Sequence, residues 1–277
     1  INTAVGQQTM LANTTGADNS ALGGYALGQN TTGSYNVAIG RQALSASTTA
    51  DNNTAAGYKS LFANTTGTLN TSVGKDAMLS NTTGHYNTAF GGGALASNST
   101  ASNNTAVGLR TLVNNTTASN NTAVGYEAGY NNTTGGNFVA TGYQTLYSNT
   151  TGNDNNAFGW QALYANTTGS NNTSLGFRSL YSNTTADSNT AVGYQALYSN
   201  TAANNAAVGY KALEVNTSGT TNVALGFALA TNTTGSENSA VGWASLYYNT
   251  TGSYNTAVGR SALLLNTTAS YNTAVGY

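Results

Sequence analysis

The side chains that could carry acid–base or metal chemistry are few in this sequence. Its 277 residues include one histidine, His85, no cysteine, eight acidic residues and seven basic residues. General acid–base catalysis needs a pair of such groups held close together, and a zinc site or a catalytic triad needs His or Cys with defined partners. Neither pattern occurs, so we expect no enzyme activity, no metal site and no cofactor.

A more regular pattern is the tripeptide Asn-x-Ser/Thr, usually Asn-Thr-Thr, which is the acceptor pattern for N-linked glycans. The same tripeptide suits a turn, because Asn tolerates left-handed backbone and its amide can bond the identical Asn of a neighbouring repeat. The sequence favours such a ladder of turns and leaves glycosylation open. The fourteen candidate glycosylation sites are Asn13, Asn30, Asn64, Asn81, Asn98, Asn115, Asn132, Asn149, Asn166, Asn183, Asn216, Asn232, Asn249 and Asn266.

Aromatic side chains form the third regular feature, with eighteen tyrosines in the chain. Aromatic rings on neighbouring strands stabilise a sheet by stacking. A row of exposed rings is also a surface for sugars or for another chain. Eight residues at one register of the repeat are therefore candidate surface or glycan-binding aromatics: Tyr126, Tyr143, Trp160, Phe177, Tyr194, Tyr210, Phe227 and Trp243.

The elements that position these residues follow from a tandem repeat. A glycine closes each copy of a motif such as NTAVG, from Gly6, Gly23 and Gly40 onward to Gly276. Fourteen of the sixteen intervals are 17 residues and two are 16, with one residue missing near Thr201 and one near Phe227. Helical repeats are longer units, and Asn, Thr, Gly, Ser and Ala dominate here. The pattern predicts an all-β fold, a parallel β-solenoid or β-roll of about sixteen 17-residue coils. Residues 1–277 are then a single repeat array with no second domain, and we expect them to be a window of a longer fibre.

Apolar and small residues occupy fixed columns when each coil is numbered from its glycine as position 1. Position 5 is Leu or Met in fifteen of sixteen coils, and Val, Leu, Ile or Phe dominate position 17, so we expect these columns to form the core. Position 16 is always Ala or Ser. Because adjacent strand residues point to opposite faces, we expect position 16 to face outward against a second chain, the alternative being a tight interior corner. Charged residues at positions 2, 3, 12 and 13 indicate the solvent side.

Short motifs give this chain a resemblance to a known family. The sequences NVAIG at 36–40 and NVALG at 222–226, with the many NTAVG copies, resemble the head repeats of trimeric autotransporter adhesins. The longer pattern YQALYSNTTG, of which residues 143–152 are a close copy, is similar to repeats of phage tail-fibre proteins. The adhesin resemblance implies a left-handed parallel β-roll, three chains packed side by side, and binding to host or matrix surfaces.

Charge and hydropathy limit the partners. The formal net charge of −1 gives no basic footprint for nucleic acid. No apolar run approaches the roughly 20 residues needed to span a membrane. We expect an extracellular structural fibre or adhesin segment, of a cell surface or a virion fibre, whose partners are its own copies, as a homotrimer or an end-to-end filament, and cell-surface glycans. Two alternatives stay open: a glycan-coated, self-assembling extracellular filament, and an ice-binding solenoid that uses the Thr columns at positions 9 and 10.

Overall fold

The computed structural model describes residues 1–277 as two compact units, unit 1 (residues 1–137) and unit 2 (residues 138–277). Both are built from three-residue strands joined by turns. The strands of unit 1 are β1 (Thr3–Val5), β2 (Ser20–Leu22), β3 (Val37–Ile39), β4 (Thr54–Ala56), β5 (Thr71–Val73), β6 (Thr88–Phe90), β7 (Thr105–Val107) and β8 (Thr122–Val124). Those of unit 2 are β9 (Val139–Thr141), β10 (Asn156–Phe158), β11 (Thr173–Leu175), β12 (Thr190–Val192), β13 (Ala206–Val208), β14 (Val223–Leu225), β15 (Ser239–Val241), β16 (Thr256–Val258) and β17 (Thr273–Val275).

Within each unit, every strand pairs in parallel with the next strand along the chain. Thr3 of β1 pairs with Ser20 of β2, and the same 17-residue offset continues to the pairing of β7 with β8. In unit 2 the offset is also 17, except that it falls to 16 between β12 and β13 and between β14 and β15. Each unit is therefore a parallel β-solenoid with one strand per coil, which confirms the fold class that the repeat predicts.

The repeat glycine at position 1 is fixed by backbone geometry. Gly40 has a φ of 124°, a region that glycine alone occupies readily. A Cβ at Gly40 would lie 2.6 Å from the carbonyl oxygen of Gly57 in the next coil. Positions 3, 5 and 13 also have positive φ but carry side chains, as at Gln42 (62°) and Leu44 (51°). Every coil except the one that begins at Gly226 thus turns its corners through one glycine and three left-handed residues.

The two faces of each strand are the reverse of what residue size suggests. Ala38 and Ala55 at position 16 are fully buried, whereas Ile39 and Phe90 at position 17 are 46% and 56% exposed. The prediction that position 17 forms the core and that position 16 faces a second chain is therefore wrong, and the tight interior corner is the correct alternative. Position 5 is buried as predicted, with Leu95 as an example. The interior has room for one Leu and small side chains at positions 4 and 16, so the large residue of the strand points out.

Two columns of buried asparagine complete the interior. At position 8, Asn98 Nδ2 donates to Asn81 Oδ1 at 2.8 Å and to the carbonyl oxygen of Ala101 at 3.0 Å. At position 14, the backbone N–H of Asn87 donates to Asn70 Oδ1 at 2.9 Å. Asn87 Nδ2 donates to the same carbonyl oxygen of Ala101 at 2.8 Å. The predicted asparagine ladder is confirmed, and it satisfies amides that would otherwise be costly to bury.

Candidate functional site

The candidate glycosylation asparagines lie inside the coils. The turn that the sequence suggests for them is therefore not an exposed one. Twelve of the fourteen have no exposed surface, and only Asn13 and Asn266 are partly exposed. Their Nδ2 groups donate within the stack, as for Asn249, which bonds Asn232 Oδ1 at 2.8 Å and the carbonyl oxygen of Gly252 at 2.9 Å. A transferase needs this nitrogen accessible, so the folded coils do not offer it. Glycosylation of these asparagines in the native organism stays a prediction.

The threonines that follow these asparagines form two columns with different surroundings. At position 9, Thr65 Oγ1 donates to the carbonyl oxygen of Thr82 at 3.1 Å, which continues the ladder from coil to coil. At position 10, Thr66 and Thr83 are exposed and lie in a bend outside the strands. One threonine column of the two is therefore exposed, and the ice-binding alternative stays an untested prediction.

Most of the candidate aromatics of unit 2 stack on one another. Tyr143 and Trp160 have ring centroids 4.1 Å apart with planes 14° from parallel. Phe177, Tyr194 and Tyr210 form a continuous stack, with centroids 5.3 and 5.4 Å apart. The predicted stacking is therefore confirmed for these five residues. Because both faces of Tyr194 are covered by its neighbours, it presents its ring edge and hydroxyl group to solvent.

The remaining members of the aromatic column are arranged differently. Tyr126 belongs to unit 1 and is 39% exposed. The ring centroids of Phe227 and Trp243 lie 5.1 Å apart, but the two ring planes are tilted by 50°. The 56% exposure of Trp243 and the tilt leave more ring surface open here than in the parallel stack. A sugar that stacks on a ring face would find that face at Trp243 rather than along the whole column.

A second aromatic column runs beside the first, at position 6. Tyr147, Tyr164, Tyr181 and Tyr198 stack with centroids 5.2 to 5.3 Å apart and planes within 9° of parallel. Arg178 connects the two columns, because its guanidinium carbon lies 5.3 Å from the ring centroids of both Phe177 and Tyr181. The candidate aromatics predicted from the sequence all lie at position 2. The tyrosines that recur at position 6 are the sequence signal that could have revealed this second column.

The position-17 side chains, apolar except for Thr141, form a row of exposed and partly exposed residues on the outer face of the strands, which we call the outer strip. In unit 1 it comprises Leu22, Ile39, Ala56, Val73, Phe90, Val107 and Val124, and in unit 2 Thr141, Phe158, Leu175, Val192, Val208, Leu225, Val241, Val258 and Val275. Leu22 is 52% exposed and Leu175 is 48% exposed. Contiguous exposed apolar rows mark interaction surfaces more often than isolated apolar residues do. The sequence interpretation missed this surface by placing position 17 in the core.

The titratable side chains serve local contacts. His85 Nδ1 accepts the backbone N–H of Thr68 at 3.0 Å, as Ser Oγ does at the same position of other coils. Lys211 Nζ lies 2.9 Å from Glu214 Oε1, and this hydrogen bond raises the pKa of Lys211. The neighbouring carboxylate of Glu237 raises the pKa of Tyr254. No three His, Cys, Asp or Glu side chains lie together as a metal site.

Membrane-crossing helices are not among the elements of this structure. Comparison of the chain with protein-family models, with curated proteins and with solved structures finds no match. The resemblance to adhesin and tail-fibre repeats therefore rests on the short motifs alone.

Proposed function

We propose that this chain is a segment of an extracellular structural fibre, of a cell surface or a virion, whose copies associate side by side through the outer strip as a homotrimer. The observation that supports this proposal is the outer strip itself. Side chains such as Ile39 and Phe90 are about half exposed although they belong to ordered, hydrogen-bonded strands, as the last residues of β3 and β6. Removing such apolar surface from water stabilises an assembly by about 25 cal/mol per Å².

A second copy of the chain fits the outer strip better than an unrelated globular partner does. The strip repeats once per coil, at a strand spacing of about 4.8 Å, and another copy carries the same period. Two or three copies can therefore contact each other at every coil, and weak contacts linked in this way add to a large total. No charged side chain lies in the strip, so no unpaired charge would be buried.

The adhesive half of the proposal is surface binding by the columns at positions 2, 3 and 6, of which position 2 is largely exposed and the other two are mostly half-buried. These positions carry the stacked rings and the basic side chains. They are different positions of the coil from position 17, which forms the outer strip. Repetition at the coil spacing would multiply a weak contact to a cell-surface glycan.

The experiment is a measurement of mass in solution by light scattering or sedimentation. We expect three times the chain mass for the unaltered protein. A triple variant, Phe90→Lys, Phe158→Lys and Leu175→Lys, should be monomeric, because three copies would bring the added charges together in an apolar contact. These side chains are exposed in the single chain, so the coils should still fold.

The matched control places the same charges on the same coils but away from the strip, as Thr83→Lys, Thr151→Lys and Thr168→Lys. These exposed threonines stand at position 10, and the control should keep the mass of the unaltered protein. A monomeric unaltered protein, or a strip variant that keeps the trimer mass, contradicts the proposal.

A further inference from the structure

One coil of unit 1 lacks the side chains that other coils place at positions 2 and 3. After its repeat glycine, Gly91, it continues with Gly92 and Gly93, and no other coil has glycine at both positions. In most other coils these positions carry large side chains, such as Tyr58 and Arg110. The missing side chains leave a notch of about 270 Å³ between the coils on either side.

The fold does not require glycine at the floor of this notch. A Cβ on Gly91 would collide with the carbonyl oxygen of Gly108, so Gly91 is fixed by the backbone. A Cβ on Gly92 would instead meet the Leu109 side chain at 3.3 Å and the Lys75 carbonyl oxygen at 3.9 Å. A Cβ on Gly93 would meet only Arg110 Cγ, at 3.8 Å. The positive φ of Gly93 is shared by side-chain-bearing residues at position 3 of other coils, so the notch is a feature beyond what folding demands.

The walls of the notch combine charge with apolar surface. Lys75 and Asp76 line one side, Arg110 lines the other, and Leu109 and Val113 supply apolar contact. Lys75 Nζ lies 3.8 Å from Asp76 Oδ2, and Arg110 Nη1 lies 3.8 Å from Glu127 Oε1. Both distances exceed a hydrogen bond, so these ion pairs do not fix the cationic donors in place.

We propose that this notch binds a carboxylate-bearing sugar of an acidic glycan. The planar guanidinium of Arg110 matches a carboxylate in a two-pronged contact, and Lys75 adds a second positive charge. The carboxylate of Asp76 accepts hydrogen bonds from sugar hydroxyl groups, and Leu109 packs on the C–H face of the ring. The volume lies just below the range of about 300–1,000 Å³ that holds drug-sized ligands, which suits a single sugar ring.

A row of basic side chains continues from the notch along the same columns. Arg41, Lys59 and Lys75 stand at position 2 or 3 of three successive coils, and four of the seven basic residues of the chain lie at these positions in unit 1. With Asp76 and Glu127 as the two acids there, the formal charge of these columns in unit 1 is 4 − 2 = +2. A polymer with a carboxylate on each sugar can contact the notch and this row together. The inference deepens the surface-binding half of the proposed function and takes its biological setting from it.

The test uses polygalacturonate as the acidic polymer and its methyl-esterified form as the uncharged counterpart, with binding measured by calorimetry. We expect the unaltered chain to bind polygalacturonate and to bind the esterified polymer at least about tenfold more weakly, because the charge-assisted pairs are lost. Arg110→Gln should weaken binding about tenfold for the same reason. Gly92→Tyr should abolish it by filling the notch.

Each variant has a matched control on another coil. Thr185→Glu lowers the formal charge by one at exposed position 10 of unit 2, and Gly24→Tyr adds a ring at position 2 where a Cβ meets nothing closer than 3.8 Å. Both should bind polygalacturonate as the unaltered chain does. Gln is the native residue at position 3 of several coils, including Gln42, so Arg110→Gln tests the notch even if Gly92→Tyr folds poorly.

Three results would overturn the inference: no binding by the unaltered chain, equal binding by Gly92→Tyr when it is folded, or an equal loss in Thr185→Glu and Arg110→Gln. The mass in solution is measured on the same samples. If the assembly has the trimer mass while polygalacturonate does not bind, this inference fails and the fibre proposal stands. If the notch variants change binding as expected while the chain is monomeric, this inference stands and the fibre proposal fails.

Discussion

Replacing Ser47 by asparagine should stabilise unit 1, because Ser47 is the one gap in the position-8 ladder of this unit. Its hydroxyl oxygen and Asn30 Oδ1 are both buried without a hydrogen-bond partner. On the other side of the gap, Asn64 Nδ2 donates to the carbonyl oxygen of Gly67 at 2.9 Å but has no ladder neighbour to reach. An asparagine at 47 would donate to Asn30, accept from Asn64 and donate to the carbonyl oxygen of Ala50.

The site has room for the longer side chain. Asn98 stands at the same position of another coil, beside Ala101 as Ser47 stands beside Ala50, and makes all of these contacts there. A buried polar atom without a partner costs about 1–3 kcal/mol, and each new hydrogen bond contributes about 1 kcal/mol net. Ordering a longer side chain opposes this by about 1 kcal/mol. We expect Ser47→Asn to raise the free energy of unfolding by about 2 kcal/mol.

Equilibrium unfolding in guanidinium, followed by circular dichroism, measures this change. Ser47→Ala removes the unpaired hydroxyl without repairing Asn30 and should stay within about 1 kcal/mol of the unaltered chain. Asn98→Ser introduces the same gap elsewhere in unit 1 and should lower stability by about 2 kcal/mol. Most substitutions destabilise, so a gain from Ser47→Asn is a demanding outcome. If Ser47→Asn is neutral or destabilising while Asn98→Ser behaves as expected, the argument from the ladder fails at this site.

Three further changes test other parts of the coil. Inserting a threonine between Thr201 and Ala202 restores a 17-residue coil and gives partners to Asn183 Oδ1 and Asn189 Nδ2, which are buried and unpaired. It should raise the thermal midpoint of unfolding, with a gain of about 1–3 kcal/mol, and a lower midpoint would refute it. Thr221 has a φ of 59°, which is unfavourable for a β-branched residue. Thr221→Asn should therefore gain about 1 kcal/mol, and the reverse change at Asn204 should lose as much in the same denaturant titration. The pKa of Lys211 is raised above its ordinary 10.5, chiefly by the hydrogen bond to Glu214. A raised pKa of the folded state means that this pair stabilises fully below pH 10.5 and loses its effect as pH rises through the raised value. Stability of the unaltered chain should converge on that of Glu214→Gln at high pH, by a small amount because both side chains reach solvent, and parallel pH profiles would contradict the assignment.

The period and the ladders were predictable from the sequence for a common physical reason. Each depends on one residue type recurring at a fixed interval. Glycine at position 1 recurs because any side chain would meet the next coil, and asparagine at positions 8 and 14 recurs because each amide bonds its copy one coil away. A column of this kind can be recognised from the sequence because each member depends on its copy in the next coil. A single departure such as Ser47 leaves buried polar atoms unpaired.

The direction in which the strand faces was not predictable from hydrophobicity. Strand alternation allows either position 16 or position 17 to point inward, and burial of the larger apolar residue favours position 17. The volume inside the coil decides otherwise. Variation in size held the useful signal, because position 17 accepts Ala56, Phe90 and Thr141, whereas position 16 accepts only Ala or Ser. A crowded interior tolerates little change in volume, so the invariant small column belongs inside.

The positions of the surface aromatics could be predicted from the sequence, but which part of each ring reaches solvent could not. Rings at position 2 were expected to be exposed, and Trp243 is 56% exposed. Whether a ring offers its face or its edge depends on its tilt relative to the ring in the next coil, which sequence does not specify. The notch at Gly92 was hidden for another reason, since glycine in a repeat rich in glycine gives no signal until the neighbouring side chains are placed.

The coil interior explains why the apolar surface of this chain lies outside it. Most coils bury one large apolar side chain, at position 5, beside small Ala or Ser side chains and two asparagine amides. So small an apolar core cannot offset the loss of conformational freedom in 17 residues. In-register hydrogen bonds between neighbouring coils must supply the difference, and stability becomes a sum over coil–coil contacts. Apolar residues freed from the interior are then available at position 17 for the contact between chains that we propose, so a narrow coil and an exposed outer strip follow from one choice of residue sizes.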